Sequence, residues 1–93
     1  MTKCVTPRFV LGETFSTTNA QNTLNQEDVL AAMARHHHGD WGDLCEEDKA
    51  MNEQAVEHGQ RIFSAYHDFD GIKFYIITEH DRSVATVLLP EDY

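Results

Sequence analysis

Glu79-His80-Asp81-Arg82-Ser83 gathers a carboxylate, an imidazole, a guanidinium and a hydroxyl in consecutive positions. These are the group types that general acid–base chemistry uses. A small hydrolase or nuclease-like enzyme would draw on His80, Asp81 and Arg82, with Arg61 or His67 contributed from the segment 61–67. A triad, however, needs groups that converge from separate positions, with the base oriented by a third residue. Contiguous residues of a turn diverge, and Asp and Ser bond turn backbones on their own account. The favoured reading of the loop is therefore a structural turn, with the hydrolase as the alternative.

The run His36-His37-His38 raises metal binding, because neutral imidazole ligates zinc, nickel and copper. Consecutive helical residues point about 100° apart, so the three rings cannot all face one ion. A structural metal protein would need His36 and His38 to be completed by a distant ligand such as His58 or His67. At a helix C-terminus the same run meets the negative end of the dipole, which is the role expected of it, and no cofactor is expected. Cys45 lies near a helix start, where a thiol can be activated. Its neighbours Asp43, Glu46, Glu47 and Asp48 oppose a thiolate, so an inert side chain is expected. Cys4 and Cys45 make no disulfide framework and should both stay reduced.

The clearest excess in the chain is acidic. Asp40, Asp43, Glu46, Glu47, Asp48, Glu53 and Glu57 face Lys49 alone within one stretch, and the whole chain carries 16 Asp and Glu against 7 Lys and Arg, a formal net charge of -9. That balance excludes direct binding to a phosphate backbone, whose affinity comes from cations displacing counterions. A solvated helix face is the bland account of the run. The functional account is a surface formed by Asp40, Asp43, Glu46, Glu47, Glu53 and Glu57 that steers onto a basic protein partner. No stretch is apolar enough to span a membrane, and the opening MTKCVTPRFVLG lacks the apolar centre of a signal peptide, so a cytoplasmic protein is expected.

These residues must be held by a small scaffold, since 93 residues suit one domain. Phe9, Val10 and Leu11 between Pro7 and Gly12 read as a brief edge strand, and the polar segment from Thr14 to Asn25 as a loop with one helical turn. Asn25 caps a helix, with Asp28 placed to return the bond and Leu24 to staple against Val29. The apolar stripe predicted for that helix is Val29, Leu30, Met33 and His37, and Gly39 ends it. Trp41, between Gly39 and Gly42, is expected to plug the core between two helices. A second helix is predicted from Glu46 to His58, loaded with carboxylates at its positive end and stopped by Gly59, with Met51, Ala55 and Val56 as its thin apolar stripe. Asn52 lies beside that stripe and, if buried, must find partners. The period then becomes strand-like over residues 61–67, 72–78 and 84–89, with a turn at Asp70-Gly71. The class is α+β: two or so helices on a three- to four-stranded antiparallel sheet that ends in a meander.

Arg35-His36, Gly39-Asp-Trp-Gly-Asp43, Glu47-Asp48, Asn52, Gly59, Arg61, Ser64-Ala-Tyr66, Ile76-Ile-Thr-Glu79, Asp81-Arg-Ser83 and Val87-Leu-Leu-Pro-Glu-Asp-Tyr93 together resemble a family of small uncharacterised proteins of bacterial plasmids, phages and integrated elements. The resemblance covers about two-thirds of the chain and departs from the family at Tyr75, where a tryptophan is usual, and over the stretch Phe15 to Leu24. It implies a mobile-element setting and carries no catalytic residues to transfer. Charge and setting together suggest a non-enzymatic binding module, in its sharpest form an inhibitor that occupies the basic surface of a nucleic-acid-handling complex.

Overall fold

The computed structural model describes residues 7–93, so Cys4 lies outside the described residues. The chain forms β1 (Glu13–Ser16), α1 (Thr18–Thr23), α2 (Gln26–His37), α3 (Glu46–His58), β2 (Ile62–His67), β3 (Lys73–Thr78) and β4 (Val84–Leu88), and closes with a 3-10 turn at Pro90–Asp92. The α+β class expected from the sequence is the class observed. The sheet has the order β1-β4-β3-β2. β2, β3 and β4 form the antiparallel meander, while β1 joins β4 in parallel. An all-antiparallel sheet was the expectation. The parallel pair arises because the chain leaves β1, crosses one sheet face through all three helices, and enters the meander at the far edge, so that β4 comes home beside β1 running the same way.

The strand expected at Phe9 to Leu11 lies instead at Glu13–Ser16, and the polar segment after it is mostly helix α1 rather than loop. Thr17 caps α1 by accepting from Ala20 N–H, which leaves the buried Ala20 and Leu24 to carry the packing. α2 begins where its sequence signals, with Asn25 accepting from the backbone N–H of Glu27 and Asp28. Asp28 does not return that bond. Its carboxylate accepts from Phe69 N–H at 2.7 Å, while Asn25 N–H donates to Asp68. The helix start is thereby tied to the β2–β3 hairpin by two crossed contacts.

Opposed residues of neighbouring strands share a face. Ile62, Ser64, Tyr66, Phe74, Ile76, Thr78, Ala85 and Val87 make the face under the helices. Tyr66, Phe74, Ile76, Val87 and Leu89 pack with Ala20, Leu24, Val29 and Ala32 in the main core, and Trp41, Ala55 and Ile62 form a second cluster beneath α3. Trp41 fills the space between α2 and α3, as its setting between glycines predicts. Gly42 has φ 75° and bridges to Ala65, so close that any Cβ would run into the Ala65 carbonyl oxygen. The opposite sheet face carries Phe63, Tyr75, Ile77 and Leu88 and is partly covered by the C-terminal turn, whose Tyr93 packs edge-on against Phe63 and Tyr75. Asp92 anchors that turn by accepting from Thr17 Oγ1 at 2.7 Å and Asn19 Nδ2 at 2.8 Å. Among the described residues no helix is long and apolar enough to cross a membrane.

Candidate functional site

The hairpin between β3 and β4 separates the groups that its sequence lines up. Arg82 sits at φ 60°, the one described non-glycine residue with positive φ, and that backbone turns its guanidinium inward. It donates to the carbonyls of Ala55 at 2.9 Å and Glu79 at 3.1 Å and to Gln60 O, and it lies over the Phe9 ring. Burial lowers its pKa, yet it finds carbonyl dipoles where α3 ends, where a cation is favoured. Asp81 turns the other way, accepting from Ser83 Oγ at 2.6 Å and Ser83 N–H at 3.1 Å, and these bonds hold its carboxyl below the usual carboxylate range. His80 is exposed. Arg61 stands 3.8 Å from Glu79, and His67 bonds Asp43 at 2.6 Å. His80, Asp81, Arg82, Arg61 and His67 thus do not converge on one point.

The histidine run divides in the same way. His36 is fully buried, with Nδ1 2.6 Å from Ser64 Oγ on β2 and Nε2 2.7 Å from Thr78 Oγ1 on β3. Phe9 meets its ring edge-on at 5.1 Å and Trp41 at 6.0 Å. Desolvation, with lesser contributions from His37 and Arg82, lowers its pKa to about 3, so the ring is neutral. The stripe predicted from sequence took His37 as the inward residue and Leu30 as core. The structure buries Val29, Ala32 and His36 and leaves Leu30 71% exposed, because the helix is rolled so that an imidazole can join the two strand hydroxyls. His38 Nδ1 lies 2.8 Å from Ala34 O, and His58 is exposed in the last turn of α3. Among the described residues no three His, Cys, Asp or Glu side chains are grouped to hold a metal ion. Cys45 is exposed at the N-cap of α3, where its side chain makes no capping bond.

The acidic set splits into engaged and unengaged members. Asp40 binds Arg35 at 2.8 Å and accepts from Gly42 N–H, and its pKa is lowered chiefly by that arginine. Glu53 bonds Arg8 at 2.7 Å and Trp41 Nε1 at 2.8 Å, and both lower its pKa. Asp43 is the partner of His67. None of the ion pairs among the described residues uses Glu46, Glu47 or Glu57. Glu46, Glu53 and Glu57 are seven and four positions apart, which places them in one row along α3, with Glu47 a fifth of a turn or more to the side.

α3 keeps this row outward by holding the protein with its other side. Asn52, which sequence placed beside the stripe, is buried, donates to Phe63 O at 2.6 Å and accepts from Phe63 N–H at 3.2 Å. Its amide thus imitates a neighbouring strand along the outer edge of β2. Met51, predicted as core, is 66% exposed, since Ala55 and Asn52 let the helix approach the sheet too closely for a long side chain between them. Comparison with known protein families, with curated proteins and with solved structures finds no match.

Proposed function

We propose that this chain is a non-enzymatic protein-binding module that presents the exposed carboxylates Glu46, Glu47 and Glu57 of α3 to a partner with a basic surface. The observation that carries the reading is the division of labour on α3. Asn52 and Ala55 face the protein, while Glu46, Glu47 and Glu57 stand exposed with no ion pair among the described residues. Carboxylates held on a rigid helix lose little on binding cations and speed encounter with them. Asp40, Asp43 and Glu53 hold the scaffold in shape and contribute to the field rather than to direct contact. In its narrower form the proposal is an inhibitor of a nucleic-acid-handling complex, with the carboxylates taking the place of phosphates. The mobile-element setting of that narrower form rests on the sequence resemblance alone.

The test is affinity capture from bacterial extract by the native chain and by a Glu46→Lys, Glu47→Lys, Glu57→Lys variant, both first shown to fold by circular dichroism. Glu53 is spared because its reversal would break the bonds to Arg8 and Trp41. A stoichiometric basic partner held by the native chain and lost by the variant is the expected result. Equal retention by both counts against this face.

A further inference from the structure

The two edges of the sheet are finished differently. Along β2 the outward main-chain groups of Phe63 and Ala65 are closed: Asn52 donates to Phe63 O and accepts from Phe63 N–H, Ala65 N–H donates to Trp41 O, and Asp43 N–H donates to Ala65 O. Along β1 they are open. Glu13 N–H reaches Ser83 O and Thr17 N–H reaches Val87 O, so in a parallel ladder the odd-numbered residues face β4 while Thr14 and Ser16 direct their N–H and C=O groups outward. An edge of this kind is a template for another strand.

The surface around that edge is also distinct. From Thr14 to Gln26 no residue is charged, in a chain of net charge -9. A groove of about 290 Å³ runs between β1 and α2, lined by Thr14, Ser16, Gln26, Leu30 and Met33 among others. Leu30 is 71% exposed there, and on the other sheet face Phe15 is 52% exposed. Gln26, Leu30, Met33 and His37 lie along one flank of α2, whereas Glu27, Asp28 and Arg35 point elsewhere on its wheel.

We infer that β1 pairs antiparallel with β1 of a second copy about a twofold axis at Phe15, extending one sheet through both molecules. A second copy is the occupant because a chain this acidic repels its own kind least where charge is absent, and the open edge sits in the uncharged stretch from Thr14 to Gln26. The register follows from the outward groups. Setting Thr14 opposite Ser16 of the other copy uses every open donor and acceptor of β1 in about four hydrogen bonds. Phe15 then stands opposite its own symmetry mate in a non-hydrogen-bonded pair, the closer kind, where two aromatic rings can pack. Glu13, the one charge on β1, falls opposite Thr17, whose hydroxyl holds Asp92, so the like charges of this seam are confined to its two ends and its centre is uncharged. The two α2 helices lie on the same side of the joined sheet, and Leu30 and Met33 of each overhang the junction.

Sedimentation equilibrium of the native chain is expected to show a dimer that dissociates on dilution, and Phe15→Asp, a change at an exposed position, is expected to abolish it. Thr14→Pro removes one outward donor where an edge strand tolerates proline, and should weaken the dimer without changing the circular dichroism of the monomer. In a Cys4→Ser, Cys45→Ser background, Phe15→Cys should close a disulfide between copies under mild oxidation and Glu13→Cys should not. A native chain that stays monomeric up to its solubility limit overturns the proposal. So does a dimer that survives both Phe15→Asp and Thr14→Pro, or one that cross-links through Glu13→Cys but not Phe15→Cys.

Discussion

His36 shows how a single side chain can set both the packing and the acid sensitivity of this protein. Its ring is the polar centre of the interface between α2 and the sheet, and each nitrogen has one hydroxyl to bond. The folded pKa of about 3 lies below the ordinary histidine value, so between about pH 3 and 6.5 the unfolded chain binds a proton that the folded chain refuses. The stability due to neutral His36 is therefore fully present above pH 6.5 and is lost as pH falls toward 3, by about 1.4 kcal/mol per unit. Urea unfolding at pH 7.5 and pH 5.0 should differ by about 2 kcal/mol, and a His36→Gln variant should lose that difference. No other described histidine is buried, and the carboxyls of Asp40, Glu53 and Asp92, whose pKa values are lowered, keep their share above the ordinary carboxylate values and give it up as pH falls below about 4.5. The sequence carried a trace of this network. Ser64 and Thr78 occupy inward positions of otherwise apolar strand faces, and a third polar residue facing them would complete the set. The apolar periodicity of α2 fits a stripe through His36 as well as one through His37, and only the three polar positions taken together separate the two.

At the scale of elements, two side chains replace backbone partners that the fold does not supply. Asn52 closes the β2 edge at Phe63, so Asn52→Leu would leave a donor and an acceptor without partners and should cost about 2–4 kcal/mol, read from the urea midpoint. Arg82 fastens the β3–β4 hairpin to the end of α3 through the carbonyls of Ala55 and Gln60. Arg82→Ala should lower stability by about 1–3 kcal/mol and loosen the hairpin, seen as faster amide exchange at Gln60 and Ser83. A hydrolase reading of the loop expects the opposite pattern, a lost activity in a chain of unchanged stability. The helices and the meander were legible because their signals are local: carboxylates ahead of Glu46–His58 and Gly59 after it, and β-branched runs split by Asp70-Gly71. β1 and α1 were obscured because their stretch is polar and almost without apolar period. The position of β1 is fixed by pairing with Val84 to Val87, some seventy residues later, which no local pattern reports. Likewise the acidic run was plain in the sequence, but which of its members are engaged was not, because Arg8 and His67 reach them from elsewhere in the chain.

The whole molecule carries its charge unevenly, and that gives the two proposed associations opposite responses to salt. A basic partner meeting Glu46, Glu47 and Glu57 is held by attraction between unlike charges, which salt screens, so its dissociation constant should rise from 50 to 300 mM salt. Two copies joined at β1 meet across a seam whose centre is uncharged and whose ends bring Glu13 toward Asp92, while each chain, at net charge -9, repels the other. Screening relieves that repulsion, and at about 0.15 M salt charges more than about 8 Å apart scarcely act on one another. The dimer should therefore tighten over the same range in which the basic partner weakens, by a few-fold in each direction. Sedimentation equilibrium reads the first and titration calorimetry against the captured partner reads the second, on one preparation of the chain. If self-association weakened with salt alongside partner binding, the contact between copies would have to involve ion pairs, and the β1 seam has none to offer; a contact through α3 and a cation such as Lys49 or Lys73 would then replace it. If both associations were indifferent to salt, the acidic row of α3 would be a solvated surface, and the partner would have to be sought against the aromatic face of Phe63, Tyr75 and Tyr93.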